Sequence, residues 1–337
     1  MWVTKKLKNV LTPTNIALGN FDGVHRGHWQ VIEPILPTDE KANQFPCDRS
    51  IQTDPFDRQA VSSHPNPQKT YATVVTFTPH PREFFTGQSL SLLTPNREKE
   101  TALKKLGVEQ LVWLPFDREL AALEPSEFVE RILVKHLHAK QISIGADFCF
   151  GRNRAGSAQD LRELAAQYGI RTNIIPLKND GSERISSSAI RQALQAGNVE
   201  RAQQLLGRPY QVVGEVVAGQ KVGRTIGFPT ANLRVPPEKF LPRLGVYSVW
   251  VQTNNPQQPA SLLPGVTNIG SRPTVNGQQV SVEVHLLDWS GDLYGQTLTL
   301  YLQKFLRPEQ KFASLEELKA QIARDCEMAS SYHSNQD

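Results

Sequence analysis

The stretch Asn15-Ile-Ala-Leu-Gly-Asn-Phe-Asp-Gly-Val-His25-Arg-Gly-His28 decides how the first half of the chain is read. Asn15–Leu18 reads as a short strand, Gly19-Asn20 interrupts it, and a helix is expected to begin near His28. A strand that turns through glycines into a helix leaves free backbone N–H groups at the helix start, where partial positive charge favours phosphate. His25 and His28 could add donors to the same phosphate oxygens, and Gly27 would let a phosphate approach the backbone. Gly19, Asn20 and Phe21 border the same turn and are candidates for contacting a nucleotide. Composition alone yields His-x-Gly-His only about 0.01 times in a chain like this, which favours a functional reading over a pair of surface capping histidines.

Outward from this stretch, short apolar runs alternate with helix-like segments. Asn15–Leu18, Thr73–Phe77, Gln110–Leu114, Gln141–Ile144 and Asn173–Ile175 are the expected strands. Arg97–Leu106, Ser126–Leu137, Ser157–Tyr168, Ser187–Ala196 and Asn198–Leu206 carry apolar residues at helical spacing. This alternation predicts an α/β domain with a Rossmann-like parallel sheet covered by helices on both faces. After Gly207-Arg208-Pro209 the pattern changes. Tyr210–Val217, Val246–Thr253, Ser261–Ile269, Val280–Leu287 and Thr297–Gln303 read as strands with no helix between them until Ser314–Ala329. An all-β antiparallel barrel with a terminal helix is expected there, with the boundary between domains 1–207 and 208–337. Residues 37–69, with five prolines and little periodicity, read as a flexible surface insertion.

The bulk properties narrow the function classes. A chain of 337 residues is long enough for two domains of ordinary globular composition. No run of about 18 apolar residues occurs, so no membrane span is expected. The basic N-terminus lacks an apolar core and a cleavage site, so a secretory signal is not expected either. Cys47, Cys149 and Cys326 are far apart and suggest neither a disulfide framework nor a zinc site, in keeping with the cytoplasm. Net charge is +4, split as +3 over residues 1–207 (25 basic, 22 acidic) and +1 over the rest (12 and 11). Neither half carries the basic excess typical of a nucleic-acid footprint, while small anions such as nucleotides remain suitable ligands.

A second candidate anion site is Arg184-Ile-Ser186-Ser187-Ser188-Ala-Ile-Arg191, a triple serine opening a late helix with an arginine one turn on. There is no GxGxxG and no GxxxxGK[ST], so neither a dinucleotide fingerprint nor a Walker A loop is supported. In the second half, Gly223-Arg-Thr-Ile-Gly-Phe-Pro-Thr230-Ala-Asn232 reads by itself as a turn-rich loop. Glu283 alternates with Ser281 and His285 on one face of a strand, and composition alone does not distinguish it from a solvated carboxylate.

His-x-Gly-His after the first strand, with ISSSAIR near the end of the α/β half, resembles the nucleotidyltransferase superfamily, whose signature is shared with class I aminoacyl-tRNA synthetases. The ordered set GNFDGVHRGH, TFTPHPRE, GADFCFG, ISSSAIR, GRTIGFPTAN, GVYSV, GVTNIGSRPT, VEVHLLD and DLYG is similar to the bacterial bifunctional riboflavin kinases/FMN adenylyltransferases. The resemblance implies a first half that converts FMN and ATP to FAD and pyrophosphate. His25 and His28 would stabilise the ATP phosphates, Ser186, Ser187, Ser188 and Arg191 would contact nucleotide and phosphate, and Asp147 and Phe148 would lie beside the flavin. It implies a barrel that phosphorylates riboflavin, with Gly223, Thr230 and Asn232 at ATP, Thr230 and Asn232 at Mg²⁺, and Glu283 as the base. Riboflavin, FMN and ATP are then the expected partners, with no nucleic acid and no membrane. Ser188 stands where the family usually has Thr, and the insertion is expected to end the first helix early, at Pro34. The rival expectations are a chain with one of the two activities, or a nucleic-acid-linked His-x-Gly-His enzyme.

Overall fold

The computed structural model describes residues 1–37, 69–181, 183–219, 222–253, 262–274 and 277–334. Apart from its two ends, the insertion expected at 37–69 lies outside the described residues. The described chain forms two compact units that part between Ser187 and Ser188.

In the first unit β1 (Trp2–Thr4), β2 (Thr14–Leu18), β3 (Tyr71–Thr78), β4 (Gln110–Pro115), β5 (Ala139–Gly145) and β6 (Arg171–Ile175) form one sheet in the order β1-β4-β3-β2-β5-β6. Every pairing in it is parallel. Its central strands are apolar without alternation because both faces are covered. Ile16, Leu18, Val75, Val112, Leu114, Ile142 and Ile144 join one core, while Ala17, Val74, Leu111 and Trp113 join the other. The order reverses at β2, whose successor β3 lies on one side and β5 on the other. The carboxyl ends of strands at such a switch point open the crevice in which α/β sheets bind ligands. The loop 19–25 leaves β2 at that end.

Three helices support this arrangement: α1 (Arg26–Ile32), α2 (Asn96–Lys105) and α3 (Ala158–Ala166), the last capped by Ser157. The first begins slightly ahead of the expected position and ends at Ile32, with Pro34 in a short 3₁₀ turn behind it. The segment expected as an α-helix over Ser126–Leu137 is instead a wide π-type helix over Phe128–His136. Its buried residues include Ile132, and the Leu137 N–H donates to the Ile132 carbonyl, five residues back. Leu137, four residues beyond the buried Leu133, is buried as well.

The second unit contains α4 (Ser187–Gln195) from Ser188 onward and α5 (Val199–Leu206), well ahead of the boundary expected at 207/208. The buried face of α5 (Val199, Ala202, Leu205, Leu206) packs on barrel strands. An amphipathic stripe shows that a helix needs a partner without saying which. The barrel strands are β7 (Tyr210–Val217), β8 (Ala231–Arg234), β9 (Gly245–Thr253), β10 (Leu262–Thr274), β11 (Gly277–Leu286) and β12 (Thr297–Arg307), closed in the order β7-β8-β11-β10-β9-β12. All pairs are antiparallel. The strand β8 corrects the expectation of a loop through Asn232. At four residues with only Leu233 buried, it is too short to show a period of two. Helix α6 (Leu315–Ser334) covers the barrel, held by Arg307, whose guanidinium donates to the buried Asp325 carboxylate at 2.8–3.1 Å, and by Ser248 Oγ at 3.0 Å from His333 Nε2.

Candidate active sites

The loop between β2 and α1 is tightly wound. Phe21 (φ 49°), Gly23 (φ 91°) and Val24 (φ 43°) all take left-handed backbone, which costs a β-branched residue most. Surrounding bonds hold it there. The Asp22 carboxylate accepts from Thr94 N–H at 3.1 Å, Gly23 N–H donates to Thr94 Oγ1 at 2.9 Å, and Ser187 Oγ donates to the Asp22 carbonyl at 2.8 Å. The two sequence motifs of this half therefore meet through Asp22 and Ser187.

The winding delivers His25 as the N-cap of α1. His28 N–H donates to His25 Nδ1 at 3.2 Å, and His25 N–H donates to His28 Nδ1 at 3.3 Å. The imidazoles thus reproduce a reciprocal capping box usually built from Ser/Thr and Glu. Because each Nδ1 accepts, each neutral ring carries its proton on Nε2. The rings stack at 3.6 Å with an interplanar angle of 12°, and Phe21 packs its edge 5.2 Å from His28. The arrangement is a pair of parallel rings whose Nδ1 atoms are taken up in the cap. It also explains Gly27, where a Cβ would lie 3.2 Å from the His25 ring and 3.6 Å from the Ile185 carbonyl. The capping and phosphate readings of these histidines call on different nitrogens, since the cap uses Nδ1.

The remaining expected residues fall as follows. Arg184 forms an ion pair with Asp147, and Arg26 reaches Asp180 at 3.1 Å. Both bonds hold the hairpin Asn179–Asp180/Glu183–Arg184, which leads into Ser186. Phe148 lies 6.0 Å from Phe150 in a nearly parallel stack. Ser188 and Arg191 belong to the second unit, where the Arg191 guanidinium sits over the Phe240 ring at 5.6 Å. Sequence reasoning missed Asp22, Thr94 and Lys99. Lys99 on α2 is 5% exposed, donates from Nζ to the Asn20 carbonyl at 2.8 Å and lies 5.2 Å from the Trp113 ring centroid. Burial pushes its ammonium down to about 8, with the Asp22 carboxylate acting in the opposite direction.

In the barrel, the loop before β8 folds closely over the expected residues. A Cβ on Gly219 would lie 2.2 Å from Asn232 Nδ2, and one on Gly223 would lie 2.3 Å from the Phe228 carbonyl and 3.2 Å from Thr230 Oγ1. Only glycine fits at these approaches, and the result is a backbone cradle around Thr230 and Asn232. The register then aligns three strands. Asn232 pairs with Glu283, and Glu283 pairs with Asn268 on its other side. Residues directly opposite in an antiparallel pair have Cβ atoms about 4.5–5.5 Å apart, so these polar side chains form one row. Glu283 shares its half-buried face with Ser281 and His285, between buried Val282 and Val284, as the alternation predicts. His285 Nδ1 lies 2.8 Å from the Pro229 carbonyl and tethers the PTAN segment. Asn268 and His285 were not singled out from sequence, because one polar residue in an alternating strand carries no signal of its own.

Comparison with known families accounts for both halves. The FAD synthetase family matches residues 7–47 and 59–189, and the riboflavin kinase family matches residues 206–333. The chain is 41% identical over 311 residues to the bifunctional riboflavin kinase/FMN adenylyltransferase of Escherichia coli K12, covering 92% of this chain and 90% of that protein. The chain belongs to the bifunctional riboflavin kinase/FMN adenylyltransferase family. Its Haemophilus influenzae relative is 36% identical over 324 residues, with 96% and 95% covered. A Streptococcus pneumoniae crystal structure, described as a macrolide-efflux protein, superposes with a TM-score of 0.79 at 30% identity over 97% of this chain and 98% of that one. That description applies to the pneumococcal protein. Among the described residues here no helix is long and apolar enough to cross a membrane. As a family member the chain is a transferase with ATP and flavins as substrates.

Proposed function

We propose that this chain carries out two successive steps in the cytoplasm, where its ATP is available. The barrel domain phosphorylates riboflavin to FMN, and the sheet domain adenylylates FMN to FAD. What supports this reading is a stacked histidine pair capping α1 in one place and a glycine cradle beside the Asn232–Glu283 pair in the barrel, and the two differ as their reactions require.

In the kinase step a neutral ribityl hydroxyl must attack the γ-phosphorus of ATP, so a proton has to leave the attacking oxygen. Glu283 is assigned as its acceptor and lies beside Asn232. Mg²⁺ fits the neighbouring oxygens. It is a hard cation that takes one or two protein oxygens and completes its shell with phosphates and water, which suits the Thr230 hydroxyl and the Asn232 carbonyl inside a glycine cradle. Bound there it would neutralise charge on the β- and γ-phosphates. Gly219 and Gly223 give the triphosphate access to the backbone, and ADP leaves as Glu283 holds the proton.

In the adenylylation step the nucleophile is an FMN phosphate oxygen, already ionised. It attacks the α-phosphorus of ATP, the bond to the β-phosphate oxygen breaks and pyrophosphate leaves. This reaction needs no base; it needs donors where charge accumulates. The Nε2–H groups of His25 and His28 are assigned to that need. Ser186, Ser187, Ser188 and Arg191 are assigned to the nucleotide side, and Asp147 and Phe148 to the flavin side.

The products formed from riboflavin and Mg–ATP test the reading. FMN followed by FAD supports two activities. FMN alone would leave the sheet domain without turnover, and no product would remove both assignments.

A further inference from the structure

The strongest feature not used by either mechanism is a buried cation beneath the adenylylation loop. Lys99 projects from α2 to the end of β2, where its Nζ donates to the Asn20 carbonyl at 2.8 Å. Burying an ammonium is costly unless it is compensated. Two features compensate here. The Asp22 carboxylate, itself 5% exposed, acts on it through space, and the Trp113 face lies 5.2 Å away. The same Asp22 accepts from Thr94, whose hydroxyl in turn holds Gly23 N–H. The ammonium and the carboxylate thus hold the stretch Asn20–Gly23, just ahead of the His25–His28 pair.

The groups around Lys99 on other elements are the Asn20 carbonyl after β2, Asp22 in the loop and Trp113 on β4. Trp113 Nε1 donates to Glu100 of α2 at 3.1 Å, which keeps that carboxylate engaged at the indole edge. Asp22 is the charged group that acts on the ammonium.

We propose that Lys99 is a positioning residue for adenylyl transfer, and that its protonated form is required to hold the Asn20–Val24 loop, and through it the His25–His28 pair, in the geometry that binds the transferring phosphates. The inference rests on the reading of this loop as the adenylylation site. Deprotonation removes the charge that faces Asp22 and weakens the bond to Asn20, and the loop loses one of the contacts that hold it. Folding does not need that charge in the same way. The folded lysine titrates near 8 and the unfolded one near 10.5. Between those values the unfolded chain binds the extra proton, so stability rises with pH over that window. Activity and stability are therefore expected to move in opposite directions, which a merely structural cation would not cause.

The test uses the full chain, with FMN and Mg–ATP supplied directly and FAD formation followed from about pH 6 to 10. The wild-type rate should fall about tenfold per pH unit above its midpoint near 8, while its melting temperature relative to Lys99→Met rises over the same range. Lys99→Met should show a kcat lowered at least about tenfold at neutral pH and no alkaline limb. Lys99→Arg, which keeps its charge throughout, should stay active to high pH. If Lys99→Met does not fold, the profile of Lys99→Arg decides. A wild-type profile that is flat through pH 9, or a Lys99→Arg limb matching the wild type, overturns the proposal. A wild-type protein that forms no FAD at any pH is a different failure, that of the site reading itself.

Discussion

Asn232 on β8 stands directly opposite Glu283 on β11. The pairing brings a carbonyl suited to the Mg–ATP complex within one side-chain length of a carboxylate suited to the attacking hydroxyl, although the two residues are remote in sequence.

Replacing Glu283 with Gln preserves volume and hydrogen-bonding shape but removes the capacity to accept a proton. General-base catalysis typically contributes 10²–10⁴-fold, so the kinase kcat of Glu283→Gln should fall by about that factor. The KM for riboflavin should change much less. A near-normal kcat would falsify the base assignment and return Glu283 to the role of a half-buried strand residue.

His28→Ala removes one Nε2–H donor and half of the reciprocal cap. FAD formation from FMN should be lost, while riboflavin phosphorylation stays within about threefold, because sites in separate compact units behave additively. Equal loss of both activities in a folded variant would contradict independent sites.

Gly223→Ala introduces a methyl group 2.3 Å from the Phe228 carbonyl and 3.2 Å from Thr230 Oγ1. Backbone cannot yield as a flexible side chain would, so the cradle must open. Kinase turnover should drop by about tenfold or more, with adenylylation of supplied FMN retained. Separate assays of FMN and FAD formation distinguish this from general misfolding.

Arg307→Ala leaves the Asp325 carboxylate buried without its bidentate partner. Removing one member of a buried pair costs about 3–5 kcal/mol. Denaturant unfolding should show that loss for the barrel, and Arg307→Ala combined with Asp325→Leu should recover much of it.

The sequence supports some of these conclusions far better than others, for physical reasons. The sheet strands were legible because burial on both faces demands continuous apolar runs such as Val74-Val75 and Leu111–Leu114. The reciprocal histidine cap was prefigured because His25, Gly27 and His28 are close in sequence. Lys99 was not, since it reaches Asn20 from a helix far along the chain and looks like any surface lysine within an otherwise charged run. The four-residue β8 was hidden for want of length. The allegiance of α5 was hidden because its apolar stripe would suit either unit.

The three-residue strand β1 also limits how much unpaired edge the parallel sheet offers. An outer strand with unpaired backbone groups is a template for another chain, and the danger grows with its length and greasiness. Trp2–Thr4 lies along β4, whose Gln110–Leu114 run is almost wholly buried and would be an adhesive rim if left bare. A brief ribbon thus shields a long sticky one and offers little length of its own to a newcomer. The closed barrel reaches the same end by having no rim at all.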